Sequence, residues 1–254
     1  MIAILSPAKT LDFTNKYDFQ DYTIPELLDD SKLLINKLKN ISSKDLSKLM
    51  KLSLKLSDLN CARYIRWNEK FSLSNSVQAI FCFKGGVYVG LDVVKFSDFD
   101  LRYSQDYLRI LSGLHGVLRP LDLIQPYRLE MGTSLATEKG KNLYEFWGDK
   151  ITFSLNQSIK KNNAKYLLNL ASKEYFSSIN LNKINSQILD VKFLDKKGDN
   201  YKIISFFAKK ARGAMASFVM RNKIKKIDDL KKFSDLGYKF NKKQSTNNNL
   251  VFIR

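Results

Sequence analysis

The chain has 254 residues, of which 44% are hydrophobic and 12% aromatic, so it can bury a sizeable core and is not an intrinsically disordered protein. Its formal net charge of +18 predicts a positive field that favours nucleic acid, anionic membranes or phosphorylated ligands. The alternative is that a lysine-rich composition only solvates the surface.

Cysteine and histidine are scarce. Cys61, Cys82 and His115 are the only residues of these types, which excludes a disulfide framework and a standard zinc site and favours a reduced, cytosolic setting. The N-terminal apolar run is too short for a signal peptide, and no run is long enough to span a membrane. We therefore expect a cytoplasmic protein without a membrane partner, a metal site or a cofactor. The sequence does not indicate its oligomeric state.

The first predicted strand is Ile2 to Leu5, a buried apolar run that ends at a Ser-Pro pair. The loop that follows carries Lys9 and Thr10. Such residues can hold a phosphate when they stand directly after a strand. No glycine-rich cradle accompanies them, so a lysine that simply lies on the surface is the alternative.

Three helices are predicted in the next part of the chain. Thr23 and Glu26 form a capping-box pattern at the start of the first helix, and Ser42 with Asp45 repeats the pattern for the second. A turn predicted over residues 56–60 leads into the third helix.

The second and third predicted helices are short and would be joined by a tight hairpin. Two helices joined by a tight connection can rest backbone amides and cations on a DNA phosphate strand. The connection lacks the glycine that is usual in this motif, and ordinary helix packing is the alternative. Four cations lie within the segment: Lys51, Lys55, Arg63 and Arg66.

The central stretch, residues 108–132, begins as an apolar run, is interrupted by two glycines and turns at two prolines. It is therefore not one regular helix or strand. A constrained loop of this kind can present Arg119 and Arg128 to a ligand. Alternatively, these arginines pair with local carboxylates such as Asp122 and Glu130.

Further along the chain, apolar runs alternate with polar loops. The run 79–83 predicts a buried strand that opens into a glycine pair, and the run 166–170 predicts another that opens into polar residues 171–175. Between them, residues 142–160 have apolar side chains at helical spacing and predict one helix.

The last third of the chain begins with a predicted β-hairpin, in which residues 187–194 and 201–207 flank a polar tip. Directly afterwards, Lys209, Lys210 and Arg212 stand at the predicted start of a helix. Positive charge at this end opposes the helix macrodipole, and a bound anion would relieve the conflict. The alternative is that these side chains extend into solvent.

Six strings are long and unusual enough to carry a resemblance, and they span essentially the whole chain. They are SPAKTLDF (6–13), FKGGVYVGL (83–91), LSGLHGVLRPLDLIQPYRLEMG (111–132), LYEFWGD (143–149), NLASKEYF (169–176) and ISFFAKKARGAM (204–215). The sequence closely resembles the YaaA family of peroxide-stress proteins, formerly an uncharacterised bacterial family.

This resemblance implies a bacterial cytoplasmic protein that binds DNA and helps cells survive hydrogen peroxide by lowering unincorporated intracellular iron. We expect a single α/β domain over residues 1–254, with a mixed sheet flanked by helices. The resemblance adds a helix-hairpin-helix element within residues 43–67 and a positively charged cleft. The predicted nucleic-acid or anion-binding residues are Lys9, Arg63, Arg66, Arg119, Arg128, Lys209, Lys210 and Arg212.

Two other functions remain open. The main alternative is an enzyme that acts on a phosphorylated or nucleotide ligand in the same basic pocket. Direct iron binding is the least favoured hypothesis, because Fe(II) sites usually draw on histidine and clustered carboxylates. The candidate acid/base groups for an enzyme are Asp12, Tyr127, Glu130, Glu174 and Tyr175.

Overall fold

The computed structural model describes residues 1–14 and 17–254. No helix in these residues has the length and hydropathy needed to cross a bilayer. The strands and helices, in chain order, are β1 Ile2–Leu5, β2 Thr10–Leu11, α1 Leu28–Lys39, α2 Ser43–Met50, α3 Leu54–Arg66, β3 Val77–Gln78, α4 Ala79–Cys82, β4 Phe83–Lys84, α5 Gly86–Leu91, α6 Asp98–Tyr107, β5 Leu108–Ser112, β6 Gly116–Leu118, β7 Leu123–Ile124, α7 Leu143–Trp147, α8 Lys150–Lys161, β8 Tyr166–Leu170, α9 Lys173–Phe176, β9 Gln187–Lys197, β10 Asn200–Lys202, α10 Ser205–Arg221, α11 Ile227–Leu230, β11 Lys239–Phe240 and β12 Asn249–Ile253.

The main sheet has the strand order β11-β12-β9-β8-β1-β5-β6, and β10 pairs with β9. The inner strands from β12 to β5 run parallel, while β11 and β6 form antiparallel edges. All four residues of β1 are fully buried, as expected for a strand covered on both faces of the sheet. The predicted α/β class, with a mixed sheet flanked by helices, is therefore confirmed.

The first helix begins later than its capping box predicted. α1 begins at Leu28, because the Thr23 hydroxyl donates to Asp122 Oδ1 at 2.6 Å instead of capping a helix. Glu26 is also engaged elsewhere, since its Oε2 accepts a hydrogen bond from the Ser154 hydroxyl at 2.8 Å. Partners distant in sequence have therefore replaced the local cap.

The connection between α2 and α3 lies earlier than predicted. The Ser42 cap of α2 is confirmed, because its hydroxyl accepts the Asp45 amide at 3.2 Å. The turn predicted over residues 56–60 is wrong, since these residues are helical and Ser53 caps α3. Lys51 ends α2 with a φ of 53°, the left-handed conformation for which this connection would ordinarily use glycine.

Two further boundaries differ from the sequence prediction. The run 79–83 is the short helix α4 followed by β4, because an apolar run of this length does not distinguish a strand from a buried helix. The single helix predicted over residues 142–160 is divided into α7 and α8 at Gly148, whose φ is 47°.

The hairpin is confirmed in β9 and β10, but the predicted second strand over residues 201–207 is wrong beyond Lys202, because the next helix starts earlier than predicted. α10 begins at Ser205, so Lys209 is its fifth residue and Arg212 lies still further along. The macrodipole acts mainly within the first turn. The prediction that these cations stand at the start of a helix is therefore wrong.

Candidate functional site

A pocket lies where the strand order of the main sheet reverses. From β1 the sheet continues to β5, whereas from β8 it continues to β9 on the other side, so the loops after these two adjacent parallel strands diverge. Open α/β sheets bind ligands in the crevice outside the carboxyl ends of the strands at such a point. We call this crevice the switch-point pocket. Its volume is about 440 Å³, and its lining residues are Ser6, Pro7, Ala8, Lys9, Thr10, Lys84, Gly85, Gly86, Val87, Tyr127, Arg128, Leu129, Glu130, Leu170, Ser172, Glu174, Tyr175, Lys209 and Arg212.

Two serines join the ends of β1 and β8. The Ser172 amide donates to Ser6 Oγ at 2.8 Å, and the Ser6 hydroxyl donates to Ser172 Oγ at 3.2 Å. The Tyr88 hydroxyl donates to the Ser6 carbonyl oxygen at 3.1 Å and so anchors the same loop. Because the Ser172 hydroxyl accepts from Ser6 in this arrangement, its own hydrogen can be donated to a ligand in the pocket.

The carboxylate of Glu130 lies between two cations. Arg128 donates to Glu130 Oε1 from Nε at 3.0 Å and from Nη2 at 2.9 Å, and Lys9 Nζ lies 3.5 Å from the same oxygen. A second carboxylate, Glu174, accepts the Gly132 amide at 3.0 Å. The loops after β1, β7 and β8 therefore meet in one site, and the positive charge near Glu130 is partly neutralised.

α10 supplies two further cations, which differ from Lys9 and Arg128 in that they are not paired with any carboxylate that the structure describes. Lys209 and Arg212 line the pocket, and within residues 1–14 and 17–254 neither side chain has a hydrogen-bond or ion-pair partner. Burial lowers the pKa of the Arg212 guanidinium, although an arginine remains charged at neutral pH. Removing a charge from water without a compensating partner is costly. An anion bound beside Arg212 would offset that cost.

Tyrosines form the buried side of the pocket. Burial raises the pKa of Tyr127 and Tyr175 well above the usual range of a phenol. The Tyr127 oxygen lies 2.7 Å from Ser112 Oγ, so this hydroxyl is already paired within the protein. Both phenols remain protonated at neutral pH and can act as hydrogen-bonding groups rather than as bases.

The predicted cations of α3, Arg63 and Arg66, are not among the residues that line the pocket. Arg63 donates to Asn60 Oδ1 at 3.2 Å, and its pKa is lowered mainly by burial and to a smaller extent by Arg128. Arg66 is exposed at the end of the helix. Lys210 is half-buried on α10 and does not line the pocket.

Arg119 occupies a separate, open depression. Its Nη2 lies 2.8 Å from Asp122 Oδ1, and its Nη1 lies 3.5 Å from Glu26 Oε1. The Asp122 side chain is only 1% exposed, so this pair is largely withdrawn from water. The fold thus brings Lys9, Arg128, Lys209 and Arg212 together and leaves Arg119 with its own acidic partners.

Some lining residues were not singled out from the sequence. Ser172 and Lys84 are two examples, although a polar segment directly after a buried strand was the signal that could have identified Ser172. Among the acid/base candidates, the pocket contains Tyr127, Glu130, Glu174 and Tyr175, whereas Asp12 is not among its lining residues. In the described part of the chain, no group of three or more His, Cys, Asp or Glu side chains is placed to hold a metal ion.

Comparison with known proteins gives consistent matches over the full length. A family model described as peroxide stress protein YaaA matches residues 1–244. A UPF0246 protein of Marinomonas sp. (strain MWYL1) is 48% identical over 251 residues, which cover 99% of this chain and 96% of the relative. UPF0246 proteins of Shewanella pealeana and Shewanella amazonensis are 47% and 48% identical over 254 residues, which cover 100% of this chain and 99% of each relative.

Proposed function

Because the chain belongs to the peroxide stress protein YaaA family, we propose that it acts in resistance to hydrogen peroxide by binding DNA at the switch-point pocket and the basic surface beside it. The observation that carries this proposal is the unpaired state of Lys209 and Arg212 among the described residues. Neutralising DNA phosphates with such cations releases counterions and supplies binding free energy.

The charge balance of the pocket supports an anionic ligand. Among the described residues, five cationic side chains and two carboxylates line it, and a third carboxylate, Asp12, lies outside the lining at 3.8 Å from Lys84. Three elements that are distant in sequence contribute most of the cations: the loop after β1, the segment after β7, and α10. Lysines that only keep the surface solvated would not need to come together from three distant segments of the chain.

We propose that a positively charged cleft extends from the pocket to the end of α3. Arg63 is close enough to Arg128 to be affected by its charge, and Tyr64 donates to the Arg128 carbonyl oxygen. Arg66 continues the same end of the helix. DNA lying along this path would contact cations of α3 before it reached the pocket.

The α2–α3 pair can add a second contact as a helix-hairpin-helix element. Its connection carries Lys51, and Lys55 lies in the first turn of α3. Arg63 lies about 12 Å further along, at 1.5 Å per helical residue, so the two ends of α3 would contact different phosphates. The element therefore lengthens the proposed DNA footprint.

Equilibrium binding of duplex and bubble-containing oligonucleotides at several salt concentrations tests the DNA proposal. The R63A/R66A and K209A variants should bind more weakly, and the slope of log affinity against log salt should fall by about 0.9 for each duplex phosphate that the variant no longer neutralises. K165A is the matched control, because Lys165 is exposed just before β8, at the opposite end of that strand. No binding at low salt, or an equal loss in the control, would refute the proposal.

A second candidate function is catalysis on a phosphorylated or nucleotide ligand. Glu130 and Glu174 in the same pocket favour it, because paired carboxylates can serve as acid and base. Incubating the protein with a panel of nucleotides and phosphorylated sugars tests this function by product analysis. Turnover that disappears in E130Q would support an enzyme, and absence of turnover in the wild type would leave DNA binding alone.

We also propose that the protein lowers unincorporated iron indirectly, through its action on DNA or its ligand, rather than by storing the metal. Electron paramagnetic resonance of chelator-treated cells under peroxide stress measures this iron pool. A deletion strain complemented with the wild type should have less unincorporated iron than one complemented with R63A/R66A. Stoichiometric, tight binding of Fe(II) by the purified protein would instead favour direct storage.

A further inference from the structure

The switch-point pocket is better matched to a terminal phosphate than to the repeating phosphates of a DNA strand. A phosphodiester inside a strand carries one negative charge, whereas a phosphate monoester carries about −1.5 to −2 at pH 7. Among the residues that the structure describes, the lining has three more cations than carboxylates. The site is also concave, so a group at the end of a ligand can enter it more readily than the middle of a duplex.

The α10 side of the pocket provides the charged donors for such a group. The side chains of Arg212 and Lys209 have no protein acceptor among the described residues, and Ser172 Oγ accepts from Ser6 without donating to a protein group there. A guanidinium presents a planar set of donors that suits two phosphate oxygens at once, while an ammonium acts as a point charge. Gly86 lets the start of α5 pack closely against Lys209, since a Cβ there would lie 3.3 Å from Lys209 Cβ.

The carboxylates indicate what is attached to the phosphate. Glu174 has no ion-pair partner among the described residues and would repel a second anionic group, whereas the charge of Glu130 is already opposed by Arg128 and Lys9. Both carboxylates can accept hydrogen bonds from hydroxyl or amino groups. The volume of about 440 Å³ lies within the usual range for small-molecule pockets. A ligand with one dianionic end and a neutral body rich in donors fits these features, and a nucleotide unit has this chemistry.

We infer that the switch-point pocket binds the terminal phosphate monoester of a nucleotide unit, with Arg212 and Lys209 as its charged ligands and Ser172 as a hydroxyl donor. If the nucleotide is the end of a DNA strand, this inference rests on the proposed binding of DNA. The same chemistry could come from a free mononucleotide. Oxidative attack on deoxyribose breaks DNA strands and leaves phosphate-bearing ends, which connects the strand-end source with peroxide stress.

The test compares pairs of probes that differ only in the terminal phosphate. One pair is a short duplex with 5′-phosphate or 5′-hydroxyl ends, a second is the same duplex with 3′-phosphate or 3′-hydroxyl ends, and a third is thymidine 5′-monophosphate and thymidine. Calorimetry or anisotropy gives the affinity ratio within each pair. In the wild type, we expect the phosphate-bearing member of at least one pair to bind about tenfold or more tightly, equivalent to about 1.4 kcal/mol.

Variants then assign the preference to this pocket. R212Q and K209M should each reduce the phosphate-to-hydroxyl ratio toward one, while K165M should retain the wild-type ratio. The phosphate-to-hydroxyl affinity ratio does not change when part of the protein is simply inactive. Lys209 is exposed, so K209M should fold even if R212Q does not. A large ratio that survives in both pocket variants would place the phosphate elsewhere and overturn the inference.

The outcomes also separate this inference from the DNA proposal. If hydroxyl-ended DNA binds and no pair shows a phosphate preference, the inference fails and DNA binding stands. If thymidine 5′-monophosphate binds but no DNA does, the DNA proposal fails and the pocket takes a free nucleotide. If phosphorylated DNA binds tightly and the mononucleotide does not compete with it, the strand end is the source.

Discussion

A Cβ atom added to Gly90 would lie only 1.9 Å from the carbonyl oxygen of Lys210, so the backbones of α5 and α10 are in direct contact at this point. Gly213 makes the reciprocal approach, because a Cβ there would lie 1.7 Å from the Val87 carbonyl oxygen. Neither oxygen belongs to a side chain that could rotate away. This contact fixes α10, and with it Lys209 and Arg212, against α5, the helix that begins at Gly86.

We therefore expect G90A to be destabilising and to weaken anion binding. The added methyl group must separate the two helices, and overpacking of this kind typically costs about 1–3 kcal/mol. Urea unfolding gives the loss of stability, and oligonucleotide binding at a temperature where the variant is folded gives the effect on the site.

G198N provides the matched control for this glycine. Gly198 has a left-handed backbone conformation, with a φ of 61°, but no atom lies within 4 Å of a Cβ built there. Asparagine tolerates this left-handed conformation, so the loss should stay below about 1 kcal/mol. Equal stability of G90A and the wild type would contradict the proposed close contact.

Arg119 should be important for stability and not for DNA binding. Its partner Asp122 is buried, and burial raises the pKa of that carboxyl even though hydrogen bonds from Arg119 and Thr23 oppose the shift. Removing one member of a buried ion pair leaves an uncompensated charge and costs about 3–5 kcal/mol. We expect R119A to lose about this much stability and to keep its DNA affinity within about twofold when folded.

The double variant R119A/D122N tests the reason for that loss. Asparagine removes the buried charge, so the double variant should recover a substantial part of the stability lost in R119A. If the two variants were equally unstable, the effect of Arg119 would come from packing instead. A large fall in DNA affinity for R119A would bring this arginine into the binding surface after all.

The sequence allowed the central strands to be predicted because each is a short apolar run that ends in polar residues. β1 and β8 were identified in this way. The sequence did not indicate that β1 and β8 are neighbours, paired from Ile2 with Leu167 to Leu5 with Leu170. That pairing creates the pocket, and it depends on contacts between residues far apart in the chain.

The position of the α10 cations could not be predicted from local pattern. Lys209, Lys210 and Arg212 stand out in the sequence because positive charge at a helix start opposes the macrodipole. However, α10 starts earlier, and of the three only Lys209 and Arg212 line the pocket. Their orientation depends on the contact of Gly90 with α10. Glycine adds no side chain to a hydrophobic pattern, so this contact leaves no periodic signal in the sequence.

Cys82 should resist oxidation by hydrogen peroxide, so we do not expect it to act as a thiol sensor. Its side chain is fully buried, and burial raises the pKa of the thiol well above its usual range. The thiolate is the reactive form, and its population at neutral pH is therefore very small. Mass spectrometry after exposure of the folded protein to excess peroxide should find Cys82 reduced.

The same sample after unfolding in denaturant is the control for Cys82. Denaturation should restore an ordinary thiol pKa and make the residue susceptible to oxidation. Peroxide resistance in cells should also be retained by C82A if that variant is stable. Rapid formation of a sulfenic acid at Cys82 in the folded protein would contradict this prediction.

His115 should make stability depend on pH between about 4.5 and 6.5. The ring is fully buried, and burial lowers its pKa to about 3. Its Nδ1 lies 3.0 Å from Ser31 Oγ, while Nε2 has no hydrogen-bond partner in the described residues. The ordinary pKa of histidine is about 6.5, so below that pH the unfolded chain binds a proton that the folded protein does not.

The sign of the effect follows from that difference in proton binding. Stability is fully retained above about pH 6.5 and falls by up to about 1.36 kcal/mol per pH unit as the pH decreases toward the folded pKa. Between pH 6.5 and 4.5 the wild type should therefore lose about 2–3 kcal/mol through this residue. The H115Q variant should lack this pH-dependent loss of stability, whatever its stability at neutral pH. Because His115 is the only histidine in the chain, the difference between the two unfolding profiles isolates its contribution, and identical profiles would show that the ring is accessible to protons in the folded protein.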